Sequence, residues 1–396
     1  MAQTTGTGAP PAGPPPWNDP RIRAIVFQVL VSAGVIAVGV YLVRNLLHNL
    51  ELRGISTGFD FLANRAGFAV NQSLIPYDES SSYGRTFFVG LLNTLLVSGL
   101  GIVLATILGF IIGVARLSHN WLIAKLAAAY IETFRNIPLL LQILFWYFAV
   151  FLNLPPPSEA LHVGDSIFLT LRGLYLPRPE AGAGFGWTAL AFAAAVAGSF
   201  LLVRWARRRQ ELTGERFPAY LVSFGLVIGA PLVVFMVSGR PLAWVAPQLE
   251  GFNFVGGVSL IPELAALLMA LSIYTAAFIA ETVRAGILSV SHGQTEAASA
   301  LGLRRSWTLR LVIIPQAMRV TIPPLTSQYL NLTKNSSLAT AIGYPDLVSL
   351  FAGTTLNQTG QAVEVMAMTM AVYLTISLVI SMFMNWFNAR MALVER

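Results

Sequence analysis

Long uncharged apolar runs recur along the chain at lengths that suit membrane-crossing helices. A helix rises about 1.5 Å per residue, so roughly 20 apolar residues cross the hydrocarbon core of a bilayer. The pattern predicts about eight spans and hence an all-α integral membrane fold. The predicted spans cover residues 24–43, 86–115, 126–152, 186–203, 218–238, 261–285, 316–340 and 365–387.

The segments around these spans divide the chain into five parts. Residues 1–20 are a Pro-rich tail that we expect to be disordered, and 21–85 hold the first span and its following loop. A first core part, 86–152, is separated from a second core part, 261–396, by an insertion at 153–260 that contains two spans. Composition agrees with a membrane protein, because 55% of residues are hydrophobic and only 11% are charged, against about 25% charged in soluble domains.

The residue types present exclude several chemistries. The chain has no cysteine, which excludes disulfides and thiol catalysis, and its four histidines lack a metal-ligand spacing. It contains no P-loop, so we expect no cofactor in this chain. An intramembrane enzyme would need paired acids or a metal site near the bilayer, and the sequence offers neither.

Charge distribution predicts the orientation in the membrane. With the N-terminus in the cytoplasm, most Lys and Arg residues fall in cytoplasmic segments, as the positive-inside rule requires. We therefore expect both termini to be cytoplasmic. The same bias explains the pI of about 9.9 without a nucleic-acid partner.

A short Ala-rich segment between the sixth and seventh spans, within the loop 291–307, is the strongest candidate for a docking element. Ser291 and Gln294 fit a capping box, which predicts a helix over 292–301. Gly302 is expected to end that helix in the left-handed conformation that glycine adopts cheaply.

Small side chains on this helix allow a partner surface to approach closely. Ala297 and Ala298 are small, Glu296 supplies one charged anchor, and Leu301 closes the segment. A short helix held at both ends by membrane spans can transmit a push from a soluble partner. The alternative is an amphipathic surface helix without a partner.

Two E-T-x-R quartets lie near the predicted cytoplasmic ends of spans. Glu132 and Arg135 are three residues apart, as are Glu281 and Arg284. Residues with this spacing share a helix face and can pair. The pairs either gate the inner mouth of a transport path or are helix-end ion pairs whose long side chains reach the interface.

A polar cluster follows the Pro-Pro step of the seventh span. Lys334, Asn335, Ser336 and Ser337 lie beyond Pro323-Pro324, which is expected to bend the helix. Polar groups beside a broken helix can bind a charged substrate in transporters. Alternatively, the cluster caps helix breaks and packs against another subunit. Gln142, Asn93 and Thr94 are further pathway candidates, although a single polar residue in a span more often bonds to a neighbouring helix.

Several motifs together resemble one transporter family. The spacing E-A-A-x3-G-x9-[VI]-x-[IL]-P, present from Glu296 to Pro315, resembles the signature loop of ABC importer permeases. Neighbouring stretches resemble the polar amino acid uptake subfamily for histidine, glutamine and arginine. The enlarged form is similar to a permease subunit of general L-amino acid importers. The matching stretches are 132–142, 279–287, 293–294, 315–319, 323–325, 334–338 and 342–343.

The resemblance implies a type I ABC importer permease fold, with an extra N-terminal span and an inserted helix pair. It implies a multi-pass protein of the bacterial inner membrane that carries polar or general L-amino acids by alternating access. Residues 292–302 would couple it to a separate pair of identical ATPase subunits, which bind ATP and Mg. A second, different permease subunit and a periplasmic binding protein would complete the complex. A stand-alone transporter driven by an ion gradient is the alternative hypothesis.

Overall fold

The computed structural model describes residues 19–52, 54 and 57–391, except for the side chains of residues 21, 47 and 50. Most of the tail predicted at 1–20 lies outside the described residues, as does 392–396. The described chain is mostly helical. Its α-helices are α1 (Pro20–Leu52), α2 (Tyr83–Ala115), α3 (Trp121–Asn136), α4 (Leu139–Leu144), α5 (Phe185–Thr213), α6 (Ala219–Val237), α7 (Pro262–Leu288), α8 (His292–Ala300), α9 (Arg305–Thr308), α10 (Ile314–Asn335), α11 (Leu356–Thr359) and α12 (Ala362–Met391).

The all-α membrane fold is confirmed, with fewer spans than the eight predicted. Among the described residues, six helices are long and apolar enough to cross a membrane: α1, α2, α5, α6, α7 and α12. A bent pair, Trp121–Asn136 with Leu139–Asn153, makes a seventh if it is counted as one span. The predicted span 316–340 falls largely in α10, whose polar residues keep it outside this apolar set.

The predicted span 126–152 is broken: the chain bends by 104° between its two helical arms. Pro138 lacks a backbone N–H, and its ring disfavours helical geometry in the preceding residue. Ile137 is accordingly extended, with φ −92° and ψ 126°. After α4, a π-helical turn (Phe145–Val150) and a 3₁₀ turn (Phe151–Asn153) complete the second arm.

The closest packing in the core joins α2 and α7. Four small residues of α2 recur every fourth position and are buried: Gly101, Ala105, Gly109 and Gly113. Gly101 faces Leu332 of α10, and Gly109 and Gly113 face α7. A Cβ at Gly109 would lie 2.6 Å from the Ile279 Cβ, and one at Gly113 would lie 2.7 Å from the Ala280 carbonyl oxygen. Small side chains therefore let the two backbones approach closely, as in other membrane helix pairs. Helices α10 and α12 complete this core.

Short antiparallel strands in the insertion were not expected in an all-α fold. Strands β1, β2, β3 and β8 form a four-stranded sheet in that order, while β4 pairs with β5 and β6 with β7. The sheet leads directly into α7. The strands are β1 (Leu161–Val163), β2 (Ile167–Thr170), β3 (Gly173–Leu176), β4 (Arg178–Ala181), β5 (Leu242–Val245), β6 (Gln248–Glu250), β7 (Asn253–Val255) and β8 (Val258–Leu260).

The two inserted helices, α5 and α6, form a hairpin that packs mainly on itself. The hairpin begins and ends at paired strands, because Ala181 of β4 lies opposite Leu242 of β5. The hairpin is therefore attached to the rest of the chain at one narrow stem.

The segment at 57–82 covers one end of the core, here called the Tyr83 end. The Gly58 backbone N–H donates to Glu364 Oε1 at 2.8 Å, at the start of α12. Phe61 packs against Phe351, with ring centroids 6.3 Å apart. The opposite end of the core, where α2 and α7 finish and α10 begins, carries α8 and is called the α8 end.

Candidate functional site

Helix α8 stands between the two core helices α7 and α10, as the sequence predicted. Its C-terminus closes with two backbone bonds: Leu303 N–H to the Ala298 carbonyl at 3.1 Å, and Gly302 N–H to the Ser299 carbonyl at 2.9 Å. This pair is a Schellman motif, which requires a left-handed residue after the helix. Gly302 has φ +73°, so its predicted conformation is confirmed.

The predicted capping box at the start of α8 is wrong. Ser291 precedes the helix in an extended conformation, and its side chain makes no capping bond. Gln294 instead receives a bond from Gln316 Nε2 at 3.3 Å, which ties α8 to the start of α10. The cap fails because the Gln294 side chain is directed towards α10.

One side of α8 rests on the protein and the rest is open to solvent. Ala298 is only 3% exposed, and Leu301, just beyond the helix, is 80% exposed. Glu296 and Ala297 are also exposed. His292 Nδ1 lies 3.0 Å from Glu296 Oε1, one helical turn away on the exposed face. This face is free to meet a partner.

A second segment lies beside α8 at the same end of the core. Arg305, at the start of α9, donates from Nη2 to His119 Nε2 at 3.0 Å. His119 belongs to the connection between α2 and α3. Since Arg can only donate, the bond requires an unprotonated Nε2 on His119. The bond joins two connections into one surface at the α8 end.

The two E-T-x-R quartets behave differently. Arg284 Nη2 and Nε bond both carboxylate oxygens of Glu281, at 2.6 and 2.9 Å, so the predicted ion pair forms. Glu132 and Arg135, both described, form no ion pair, so the ion-pair alternative does not hold for them. The Arg135 guanidinium instead lies over the Phe278 ring, 5.2 Å from its centroid, where it gains a cation–π interaction.

The polar cluster after α10 is arranged mainly as a helix end. Ser336 and Ser337 donate to the carbonyls of Thr333 and Lys334, each at 2.7 Å. Asn335 is half-buried, and Lys334 is exposed beside a cleft. The cleft has a volume of about 330 Å³ and is lined by Lys334, Ser337, Val348, Thr369, Met370 and Tyr373. The structure therefore places Lys334 and Ser337 at a cavity, and buries Ser336 away from it.

Gln142 holds the bend between α3 and α4. Its Nε2 donates to the carbonyls of Phe134 and Ile137, at 3.2 and 3.0 Å. These carbonyls lose their helical partners at the break, so the amide replaces those bonds. The side chain is almost fully buried, which favours the interhelical alternative over the pathway interpretation.

A polar cluster near the Lys334 cleft joins α2 to the connection at 345–347. Asn93 Nδ2 donates to the Pro345 carbonyl at 2.9 Å, and Thr94 Oγ1 accepts from the Leu347 N–H at 3.0 Å. Tyr373 Oη lies 3.5 Å from Asp346 Oδ2. Asn93 and Thr94 thus bond to a neighbouring element, as expected for single polar residues in a span, whereas Asp346, an acid after Gly-Tyr-Pro, was not expected to take part. The cluster fixes the 345–347 connection against α2.

These features define a multi-pass membrane protein: a helical bundle with closely packed core helices and an exposed helix held at one end. A family model described as the inner membrane component of binding-protein-dependent transport systems matches residues 220–393.

Relatives match almost the whole chain. The putative amino-acid ABC transporter permease protein YhdX of Escherichia coli is 57% identical, over 96% of this chain and 97% of the relative. The general L-amino acid transport system permease protein AapQ of Rhizobium johnstonii is 50% identical, over 96% and 94%. BztB of Rhodobacter capsulatus, a glutamate/glutamine/aspartate/asparagine transport system permease, is 46% identical over 96% of both chains. The chain belongs to the family of amino-acid ABC transporter permeases.

Proposed function

We propose that this permease subunit couples amino acid import to ATP hydrolysis on a separate ATPase through α8. The observation behind the proposal is that α8 is exposed along most of its length but firmly attached. Buried Ala298 packs it against the protein, and the Schellman motif at Gly302 fixes its end. A rigid helix joined to α7 and α10 transmits motion from a docked partner to two core helices.

The remaining components follow from the same role. ATP and Mg would bind to two identical ATPase subunits, a second and different permease subunit would complete the path, and a periplasmic protein would deliver substrate. The names of AapQ and BztB point to polar or general L-amino acids as the substrate class. Alternating access of the core helices would move the substrate.

The α8 end would face the cytoplasm, with both termini on that side. The connections at this end carry Arg116, Arg304, Arg305 and Arg310. Positive residues accumulate in cytoplasmic connections, which supports this orientation. The Tyr83 end and the small sheets would then face the periplasm.

Charge reversal on α8 tests the coupling role. Glu296→Arg should lower ATP-driven uptake by at least about tenfold. A basic group of the partner that pairs with Glu296 would then face a like charge, and like charges at an interface cost several kcal/mol. The control is Glu250→Arg, an exposed glutamate on β6, which should transport normally. The measurement is uptake and ATPase copurification from membranes that contain the complete complex. Normal uptake by Glu296→Arg would contradict the assignment.

A further inference from the structure

The hairpin of α5 and α6 carries a concentrated basic surface where the two helices meet. Between residues 204 and 216 the chain places five arginines against two glutamates. We call this surface the hairpin arginine cluster; it consists of Arg204, Arg207, Arg208, Arg209 and Arg216. We propose that the hairpin arginine cluster binds the headgroups of anionic phospholipids.

Most of the positive charge in this cluster is unpaired. Arg209 bonds Glu215 at 2.6 Å and lies over the Trp205 ring. Arg204, Arg208 and Arg216 are exposed and form no ion pair or side-chain hydrogen bond with any residue in the described part of the chain. Their guanidinium groups therefore have donors free for an external anion, and a guanidinium suits the geometry of phosphate oxygens.

Two of these arginines lie on the side of α5 that faces away from α6. The residues that α5 buries are Ala195, Ser199 and Ala206, which share one face at a rotation of about 100° per residue. Arg204 and Arg208 are one turn apart and fall on the opposite face. Because the hairpin packs mainly on itself, this opposite face meets lipid rather than another core helix.

The depth of the cluster matches a headgroup layer. Arg204 lies 19 residues after the start of α5 at Phe185, or about 28 Å along the helix, close to the thickness of the hydrocarbon core. Exposed apolar side chains, among them Phe200 and Leu201, precede Arg204. Trp205 and Tyr220 are exposed at the same level, as aromatic residues are at membrane interfaces. Arginine clusters directly beyond such a span attract anionic lipids.

The first test measures lipid retention by the complete complex, purified through this subunit. Wild type should retain phosphatidylglycerol over phosphatidylcholine, as counted by native mass spectrometry, and the preference should fall as salt rises. The triple change Arg204→Gln, Arg208→Gln and Arg216→Gln should reduce it by about tenfold or more. The control changes three exposed arginines elsewhere to Gln: Arg172, Arg178 and Arg240. Equal loss in both triple variants, or no loss in the first, would overturn the proposal.

The second test leaves every arginine in place, because removing charge can invert a hairpin in the membrane. The chain has no cysteine, so Leu212→Cys, at a position 86% exposed, carries a unique fluorophore. In vesicles, headgroup-nitroxide phosphatidylglycerol should quench this fluorophore at least twofold more than the same nitroxide on phosphatidylcholine. Equal quenching by the two lipids would contradict the proposal, as would quenching that favours phosphatidylcholine.

Discussion

At the scale of single residues, the absence of a side chain decides how closely the core helices pack. Gly109 of α2 faces α7, where an added Cβ would lie 2.6 Å from the Ile279 Cβ and 3.0 Å from the Ala276 carbonyl oxygen. Gly99 lies on the same helix with no atom within 4 Å of the same added carbon. Alanine at either glycine has the same effect on helix propensity, so a difference between the two variants reports the effect on packing.

Gly109→Ala should destabilise the protein by about 1–3 kcal/mol through overpacking against α7. Gly99→Ala, its matched control, should leave stability unchanged or raise it slightly, since alanine is the better helix former. Thermal unfolding of the two purified variants in one detergent checks this. Equal melting temperatures would show that α2 and α7 do not pack as closely as described.

Gln142 offers a second residue-scale test, because its two interpretations predict different defects. Gln142→Glu removes both N–H donors and leaves the partly buried Phe134 and Ile137 carbonyls unpaired, at up to about 1–3 kcal/mol for each. We expect a lower melting temperature and an unchanged KM for the transported amino acid. Gln248→Glu, at an exposed position on β6, serves as the control. A changed KM with normal stability would restore Gln142 to the substrate path.

At the scale of elements, α8 has one side chain buried against the protein next to side chains that are exposed. Ala298 is buried and Ala297 is exposed, so the same substitution at each position has different consequences. Ala298→Leu should displace α8 from the surface it packs against and lower the melting temperature. Ala297→Leu should leave stability unchanged but block close approach of the ATPase. Copurification of ATPase with Ala297→Leu at the wild-type level would show that this face is not the contact.

The end of α8 gives a sharper element-scale prediction. Gly302→Pro cannot reach φ +73°, since proline fixes φ near −65°, and it also removes the N–H that bonds Ser299. Uptake should fall strongly while insertion of the spans persists. Gly293 also lies in α8, so Gly293→Pro would not isolate the end of the helix. Gly251→Ala, at a positive φ in the β6–β7 turn, controls for backbone strain alone. If Gly302→Pro transports like wild type, the Schellman motif is not needed for coupling.

The sequence predicted those elements whose signals are local. The end of α8 followed from Gly302, and six of the eight predicted spans, which coincide with the six long apolar helices of the described chain, followed from length. The bend after α3 is signalled by Pro138, yet apolar periodicity alone merges the two arms. The strands of three or four residues in the insertion have no strong local signal, because strand propensity depends on context.

The partners of Asn93 and Thr94 could not be predicted, for a different reason. Asn93 bonds the Pro345 carbonyl across 252 positions of the chain. No pattern in one sequence connects residues so distant. Gln142 likewise resembles an isolated polar residue in the sequence, because its role depends on the break between α3 and α4.

At the scale of the whole molecule, the core and the inserted hairpin are separable. The hairpin leaves and re-enters at neighbouring strands, with Gly182 N–H bonded to the Pro241 carbonyl at 3.1 Å. Replacing residues 183–240 with a two-residue turn should preserve the β4–β5 pairing and the fold of the core. We expect the shortened chain to assemble with its ATPase and to lose the phosphatidylglycerol preference. Failure of the core to fold would show that the hairpin supports it.

The most direct test of the central claim is cross-linking from α8. The chain lacks native cysteine, so a single cysteine at Ala297 can carry a short photoreactive group in the complete complex. We expect a cross-link to the ATP-hydrolysing subunit whose yield changes on ATP binding. A cysteine at Gly251, in the β6–β7 turn, should give none. A cross-link from Gly251 but not from Ala297 would contradict α8 as the coupling element.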